Sequence, residues 1–512
     1  MKPFALRSLA LTLLASWAGA QDIALDSEMA RWRATGEVFS SDIDRLGLFG
    51  LHLDLMEPFR TFPDIFLGVG GYGAVTGSRG GLFVGGLTAG WRKEVYEDWN
   101  LELGIFGGGG GGGGNPEFSG LLLRPYVAVE RQLGLVGLRL EAARVDQPDG
   151  DLEDTHIAFG ITLPAEILEA RESSRSRHIP GRAIARRTLR ARALAARFDA
   201  GEGSTRRTGG PQSDYEVVGF GIDYFLTPQL FFPLEVHGAV GGESDGFAMG
   251  MAGIGGAMPL GTDRVRLELK GLLGAGGGGD VGTGGGWGWR GTAGLEFLLN
   301  HSWALAIEAG YMDYPDGDFD AETLGVSLAR RVTSPELSLE YPRSRLLREG
   351  LDSQDVEIDQ TRVAVEHKIY SPDGDAVKKD GSAYSNAISL IGVGIEEPLT
   401  RWFALTGRAF GAWGGNIGGY AEGLFGGKFE LRPVDDWRHV FSLTGEVGAA
   451  GGGGIDVGSG LIYQVGAGYR FEWTDRLSIG LNFGKMEANE GSFNAEAYTV
   501  SVLWNLNRAR YR

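Results

Sequence analysis

The sequence predicts an all-β protein built from three repeats of about eight antiparallel strands, closed into one or more barrels. The first observation is the repeat itself, because a glycine-rich stretch recurs at residues 104–128, 271–294 and 445–468. The turn residues keep this spacing, with 167 residues between the first two copies and 174 between the last two. The second observation is a period of two along the segments between turns, which is the spacing of strands.

The first twenty residues have the pattern of a secretory signal. Lys2 and Arg7 give a basic start, residues 9–15 an apolar core, and Ala18 and Ala20 a small-residue cleavage site. The apolar run is too short to span a membrane as a helix. We expect export to remove residues 1–20 and to take the formal net charge from −18 to −20, since two basic residues leave. Without cysteine, the exported chain depends on backbone hydrogen bonds and packing.

Apolar and small residues alternate along the segments between turns. In residues 477–486 one face carries Leu477, Ile479, Leu481 and Phe483, and the other carries Ser478, Gly480, Asn482 and Gly484. Residues 461–473 and 303–310 repeat the alternation. Alternation over this length indicates strands that have two different faces.

Each repeat is predicted to hold eight strands, which gives twenty-four. In the first repeat they are residues 31–39, 46–56, 65–75, 81–94, 101–108, 121–133, 136–145 and 155–163. The second repeat begins near Leu189 and the third near Thr361. We therefore divide the chain into a signal peptide (1–20), repeats at 21–164, 188–332 and 357–512, an arginine-rich linker at 165–187 and a second linker at 333–356.

The turns alternate in character along each repeat. Tight polar turns beside an aromatic residue follow strands two, four and six, as at Trp99, Trp303 and Trp473. Loops rich in Gly and Asp follow strands three, five and seven, at residues 76–80, 107–120, 276–286, 315–318 and 490–492. An aromatic belt at one end and variable loops at the other are typical of a barrel that spans a membrane.

The strand face opposite the apolar one favours a closed barrel over a soluble sheet. It carries mainly Gly, Ala, Ser and Thr, with isolated Glu and Arg, whereas a soluble sheet places charges on its wet face. Small residues suit the crowded, curved inside of a barrel, and closure removes edge strands that would aggregate. Glycine makes up 87 of 512 residues, about 17% against a usual 7% or so, and this excess needs an architectural cause.

On these features the chain resembles bacterial outer-membrane β-barrel proteins, with each repeat similar to the eight-stranded class. The resemblance covers most of the chain and implies antiparallel transmembrane β-barrels in contact with outer-membrane lipid. Such barrels usually close with a strand that ends in an aromatic residue, whereas here Trp504 is followed by eight residues that end at Arg512. The repeats could form three small barrels or share one wall of twenty-four strands. The completeness of each copy favours three.

Charged residues on the predicted inner face are the candidate functional residues. They are Glu102, Arg124, Glu130, Arg139 and Glu141 in the first repeat, Arg266, Glu268, Lys270, Arg290, Glu296 and Glu308 in the second, and Glu446, Arg470 and Glu472 in the third. They would either line a pore and set its selectivity or form a salt-bridge network that fills a narrow interior. The second interpretation is favoured, because unpaired charge inside a narrow barrel is costly.

Other motifs give no predicted site. The glycine loops lack the Lys-Ser/Thr and the helix of a phosphate-binding loop, and Asp316-Gly317-Asp318 is a hairpin turn rather than a calcium loop. The arginine-rich segment 171–207 is a solvated linker or an anion-binding stretch, with too few aromatic residues for nucleic-acid binding. Histidines show no metal-ligand spacing, and only His156 beside Thr155 suggests a lipid-modifying enzyme. We predict no enzyme, no catalytic residue, no metal and no cofactor.

The sequence therefore predicts an outer-membrane β-barrel protein that acts in porin-like passive transport or as an envelope export channel. Its predicted partners are outer-membrane lipid and either small solutes or an envelope polymer. A structural or adhesive surface protein, with filled barrels that display glycine-rich loops, is the alternative. A lipid-modifying outer-membrane enzyme is the second alternative.

Overall fold

The structure, a computed structural model, describes most of the chain after the predicted signal peptide. The described residues are 22–40, 45–58, 61–113, 120–148, 150, 152–173, 184–337, 349–351, 356–415, 417–434 and 438–511. The predicted signal peptide at 1–20 lies outside them. No helix in these ranges is long and apolar enough to cross a membrane.

Each repeat closes into its own eight-stranded antiparallel barrel. The first barrel consists of β1 (Asp22–Ser40), β2 (Arg45–Met56), β3 (Ile65–Thr76), β4 (Phe83–Tyr96), β5 (Trp99–Gly111), β6 (Leu121–Leu133), β7 (Val136–Asp146) and β8 (Glu153–Ser173). The second consists of β9 (Ile184–Ala200), β10 (Tyr215–Phe225), β11 (Leu230–Ala239), β12 (Ala248–Leu260), β13 (Thr262–Gly277), β14 (Trp287–Leu298), β15 (Trp303–Tyr314) and β16 (Phe319–Leu337). After the short strand β17 (Glu349–Leu351), the third consists of β18 (Val356–Pro372), β19 (Ile388–Pro398), β20 (Phe403–Gly414), β21 (Ala421–Leu431), β22 (His439–Gly451), β23 (Leu461–Glu472), β24 (Leu477–Ala488) and β25 (Asn494–Tyr511).

The predicted fold class is confirmed, and the choice between one wall and three barrels is resolved in favour of three. Each barrel closes where its first strand pairs with its last, as β1 does with β8. These closing strands are longer than predicted, so β8 and β9 run into the segment 165–187 and β16 into 333–356, which the sequence analysis treats as linkers. The additional strand β17, which we did not predict, pairs with β1 and so ties the start of the third barrel to the first.

The two faces of each strand have opposite character. Large apolar side chains point outward, and along β8 Ile157, Phe159 and Ile161 are all exposed, Phe159 to 68%. Charged side chains point inward, and Asp54 and Glu102 have no exposed surface. This arrangement is inverted relative to a water-soluble domain, and it gives each barrel an outer surface suited to lipid.

One end of the barrels carries the tight turns and exposed aromatic residues, and the other carries the glycine-rich loops. Tyr96, Trp99, Trp402 and Trp473 all lie at the tight-turn end with more than a third of their surface exposed. We call these ends the turn end and the loop end. The predicted asymmetry between the two sets of connections is present in the structure.

At the loop end the three barrels contact one another in a ring. The end of strand three in each barrel packs against the end of strand five in the next: β3 against β13, β11 against β22, and β20 against β5. Backbone hydrogen bonds join two of these contacts, from the Gly80 amide to the Gly284 carbonyl at 3.0 Å and from the Gly419 amide to the Gly110 carbonyl at 2.9 Å. Because the third barrel contacts the first, the same pair of surfaces is used three times and the ring closes.

Glycine is required at these contacts because the backbones approach too closely for a side chain. An added Cβ would lie within 2.6 Å of a neighbouring barrel's backbone at one glycine in each contact, namely 2.3 Å from Gly278 N at Gly81, 2.3 Å from Gly246 Cα at Gly451, and 2.6 Å from Gly411 O at Gly109. Real Cβ atoms essentially never come this close to backbone. Contact between barrels is thus one cause of the high glycine content.

At the turn end the last strands of the three repeats, β8, β16 and β25, contact one another. Arg330 of the second barrel pairs there with Glu397 of the third at 3.1 Å. Strands tilted by roughly 35–45° travel a large part of the way around an eight-stranded barrel as they cross it. The strands that contact neighbouring barrels therefore differ between the ends: strands three and five at the loop end, and strand eight at the turn end.

Candidate functional site

The interior of the first barrel is crossed near the turn end by an arginine of its first strand. The Arg31 guanidinium donates to Asp54 of β2 at 3.0 Å, to Glu102 of β5 at 2.7 Å and to Glu130 of β6 at 3.4 Å. All four side chains are buried. A single planar cation thus ties together four strands across the lumen, with the multiple donors that suit guanidinium for this task.

The other two barrels repeat this arrangement at the same place. In the second, Arg190 of β9 donates to Asp223 at 2.6 Å and to Glu296 at 2.7 Å, and it also pairs with Glu268. In the third, Arg362 of β18 donates to Glu396 at 3.0 Å and to Glu430 at 2.6 Å. In every repeat an arginine on strand one therefore meets an acid on strand two and at least one acid further round the barrel. These further acids lie on strands five and six in the first two barrels and on strand four in the third.

A second layer of charge lies closer to the loop end. In the first barrel Arg124 donates to Glu37 at 3.0 Å and to Glu141 at 3.0 Å. Arg139 connects the two layers, because it donates to Glu102 at 2.8 Å and also to Glu141.

The second and third barrels have their own versions of this layer. In the second, Arg290 donates to Glu235 at 3.1 Å and to Glu308 at 3.0 Å. In the third, Gln464 stands at the equivalent position and accepts a hydrogen bond from Lys368 at 2.9 Å. An amide therefore replaces a guanidinium where a strand-one lysine supplies the positive charge.

Beyond the charged layers, an apolar and aromatic cluster fills the loop end of each barrel. In the first, Phe106 and Tyr72 lie in edge-to-face contact with ring centroids 5.1 Å apart, and both are buried. Leu82 and Leu152 come from the loops and are 1% exposed. Corresponding clusters surround Tyr314 in the second barrel and Tyr420 in the third. Salt bridges and packed rings together fill the lumen of each barrel.

The structure places all fourteen candidate residues on the inner face. Eleven are buried: Glu102, Arg124, Glu130, Arg139, Glu141, Glu268, Lys270, Arg290, Glu296, Glu446 and Arg470. The other three, Arg266, Glu308 and Glu472, are partly buried. Most are ion-paired with partners across the lumen, whereas Arg266 has no ion-pair partner among the described side chains.

The charges on the first two strands of each repeat are not among the residues predicted from the sequence. The most central of these are Arg31, Arg33, Asp54, Arg190, Arg192, Asp223, Arg362, Lys368 and Glu396, all buried. The signal was present, since Arg31 and Arg33 lie two residues apart on a predicted strand and face the same side. The inward orientation of Arg190 and Arg192 is hard to predict because both belong to the arginine-rich segment 171–207, which is interpreted above as a solvated linker or an anion-binding stretch.

The remaining sequence motifs have structural positions rather than catalytic ones. His156 faces the interior and lies 3.0 Å from Glu37, whereas Thr155 faces outward, so the two side chains do not meet. The loop 276–286 lies against the first barrel, where its Gly284 carbonyl accepts the hydrogen bond from Gly80. Asp316-Gly317-Asp318 forms the turn between β15 and β16, and no group of three metal-ligating side chains is found among the described residues.

Comparisons with known proteins give similarity of fold only. No protein-family model and no curated protein matches the sequence. Among solved structures, a de novo designed transmembrane β-barrel is 14% identical and covers 28% of this chain and 95% of that one, with a TM-score of 0.20. Pseudomonas aeruginosa OpdQ is 11% identical over 95% and 98% of the two chains, with a TM-score of 0.22. The alcaligin outer-membrane receptor FauA of Bordetella pertussis is 10% identical over 93% and 75%, with a TM-score of 0.26.

Of these, the designed protein is named as a transmembrane β-barrel and FauA as an outer-membrane receptor. With TM-scores of this size they carry no inference about how the barrels are arranged or what the chain does. What the chain does must be argued from its own interior and surfaces.

Proposed function

We propose that this chain is an outer-membrane protein whose three barrels are closed to solutes, and that it acts as a structural or adhesive surface protein. The observation that carries the proposal is the filling of every lumen by buried ion pairs and packed rings. Arg33, Asp54, Glu102 and Arg124 have no exposed surface at all. A lumen that passed ions would have to leave such side chains in contact with water.

The outer-membrane location rests on the apolar outer faces and the aromatic turn end. In water, an exported chain with this surface would expose a large apolar area to solvent, whereas in a bilayer the lipid tails would cover that area.

Among the described residues, two ordered hairpins at the loop end offer a surface for contact with a partner. Residues 201–214 close on themselves through a bridge between Thr205 and Pro211, and residues 373–387 through one between Val377 and Ala383. Both hairpins fold back over the glycine loops, to which bridges at Val281 and Ile455 hold them. These hairpins, rather than the glycine loops that join the barrels, would meet a partner.

Porin-like transport, the leading interpretation of the sequence, is the rival function, and conductance separates the two. Wild-type protein, folded and inserted into a planar bilayer, should give no stable current steps. Insertion must be checked in parallel by protease protection in vesicles of the same lipid.

Two arginine variants sharpen this measurement. Arg124 is buried and ion-paired inside the first barrel, whereas Arg144 pairs with Glu153 on the surface and is about half exposed. Large wild-type steps whose ion selectivity changes in Arg124→Ala, but not in Arg144→Ala, would refute closed barrels and establish a pore. Silence in the inserted protein supports the structural role.

A further inference from the structure

A cavity opens at the turn end of the second barrel and is lined by arginines. It has a volume of about 660 Å³. Its charged and polar lining consists of Arg186, Arg264, Arg266, Arg331, His301, Asn300, Thr188, Thr227 and Thr333. No carboxylate is among the residues that line it. The site is therefore a strongly cationic pocket in a chain that is acidic as a whole.

The barrel fold itself does not require Arg331 or Arg266, because the other two barrels close without an arginine at either position. Arg331 lies opposite Arg190 across the closing pair of strands. Opposite the equivalent arginines, Arg31 and Arg362, the other barrels have Pro164 and Asn505.

The same comparison holds for Arg266, which lies opposite Glu296 on the neighbouring strand. In the first barrel the equivalent position, opposite Glu130, is Asn100. In the third barrel it is Val440, opposite Arg470. Arg331 and Arg266 thus have no basic equivalent in the other two barrels.

The acids beneath the cavity are already engaged. Glu296 Oε1 and Glu268 both pair with Arg190, and Glu296 Oε2 makes no hydrogen bond, so no arginine of the cavity is hydrogen-bonded to these acids. Arg331 reaches Glu296 only at 3.6 Å, and its buried Nε has no hydrogen-bond partner. Among the described side chains, neither Arg264 nor Arg266 has an ion-pair partner.

We propose that this cavity binds a phosphate group, supplied either by a lipid headgroup or by a free phosphate anion. Guanidinium groups bind phosphate with paired hydrogen bonds, and threonine hydroxyls add further donors. Leu226, Pro228 and Leu299 form an apolar wall beside the arginines. A pocket with one cationic and one apolar side fits a phosphate that is attached to a nonpolar group.

Titration calorimetry on the full chain, folded in uncharged detergent, tests this site. The probes are inorganic phosphate, dihexanoyl phosphatidic acid, and dihexanoyl phosphatidylcholine as the probe without net charge. We expect saturable binding of phosphatidic acid and none of phosphatidylcholine. Binding of inorganic phosphate at the same site, shown by competition, identifies a free anion as sufficient, whereas binding of the lipid alone identifies a headgroup.

Single variants assign that binding to the cavity. Arg264→Gln and Arg266→Gln should each weaken binding about tenfold or more, which is the size of one charge-assisted hydrogen bond. Arg438→Gln is the matched control, because Arg438 lies in the third barrel at the position equivalent to Arg264, one residue before the paired positions His439 and Val265. Arg264 is exposed, so its variant should fold even if Arg266→Gln does not.

The proposal is overturned if neither inorganic phosphate nor dihexanoyl phosphatidic acid shows saturable binding to the wild-type chain. It is also overturned if Arg438→Gln weakens binding as much as Arg264→Gln does. That result would mean that the anionic probe is attracted to arginines at the turn end of any barrel and has no specific site in the second. Each result concerns the second barrel's mouth and does not depend on whether the barrels conduct.

Discussion

Replacing Arg190 by methionine should destabilise the second barrel severely. Arg190 is 1% exposed and bonds three carboxylates, those of Asp223, Glu268 and Glu296. In Arg190→Met, Asp223 keeps Arg192 at 2.8 Å and Glu296 keeps only the distant Arg331. Removing one partner of a buried ion pair costs about 3–5 kcal/mol, because the remaining charge is buried without compensation. We expect a loss of free energy of unfolding at the upper end of that range.

The same strand provides a matched control. Arg197 also bonds three carboxylates, Asp199 at 2.6 Å, Asp214 at 2.8 Å and Glu216 at 2.9 Å, but half of its side chain is exposed. Water and salt screen these surface pairs. Arg197→Met should therefore unfold at the same denaturant concentration as the wild type within error.

Urea titration of the folded protein in detergent, followed by tryptophan fluorescence, measures both variants. Arg190→Met should lower the unfolding midpoint strongly. Adding Glu268→Gln and Glu296→Gln should restore part of the loss, because the uncompensated charges are then removed. Equal midpoints for Arg190→Met and Arg197→Met would refute the reasoning that burial decides the value of these ion pairs.

Two further predictions concern the loop end. Gly451→Val should lower the free energy of unfolding by about 1–3 kcal/mol, because its Cβ would lie 2.3 Å from Gly246 Cα of the second barrel. Gly271→Val, with no atom within 4 Å of its Cβ, should leave the free energy of unfolding unchanged, and equal effects would contradict close packing between barrels. Burial raises the pKa of Asp456, but hydrogen bonds from Ser492 and Gly458 outweigh this and hold the pKa below its usual value. A lowered pKa in the folded state adds stability at neutral pH that is lost as the pH falls below about 4. Asp456→Asn should then unfold at a lower denaturant concentration than the wild type at pH 7, and this difference should shrink as the pH is lowered from 7 to 3. A difference as large at pH 3 as at pH 7 would disprove the linkage.

Much of the fold could be predicted because alternation and turn chemistry are local. Strand β6 has the predicted bounds, and the tight turn at Asp98 lies where its neighbouring tryptophan indicates. The lengths of the closing strands were underestimated, since their outer parts extend beyond the barrel wall and lose the alternation. Residues such as Arg186 therefore read as linker although they belong to β9.

The sequence predicts that charged side chains face the interior, but it does not predict which of them form ion pairs with one another. Alternation assigns Glu102 and Arg139 to the inner face, but which acid meets which base depends on the shear of the closed barrel, a property of all eight strands together. The filling of the lumen likewise depends on aromatic rings such as Phe106, which belongs to a buried apolar cluster. Phe106 is followed directly by a run of glycines, and this local sequence does not indicate which side chains its ring contacts. The contacts between barrels could not be read at all, because glycines at residues 109 and 411 carry no side chain to mark a partner.

The closed ring has a consequence for how the number of barrels is maintained. A trimer of separate eight-stranded proteins would dissociate on dilution, because its assembly obeys mass action. Here the three members are one polypeptide, so the ring keeps its composition at any concentration. Closure also leaves no unused copy of the glycine surface, so this contact cannot recruit a fourth barrel or a second molecule. The ring closes through the contacts of the third barrel with both the second and the first, so a chain without the third repeat would leave one strand-three surface and one strand-five surface uncovered.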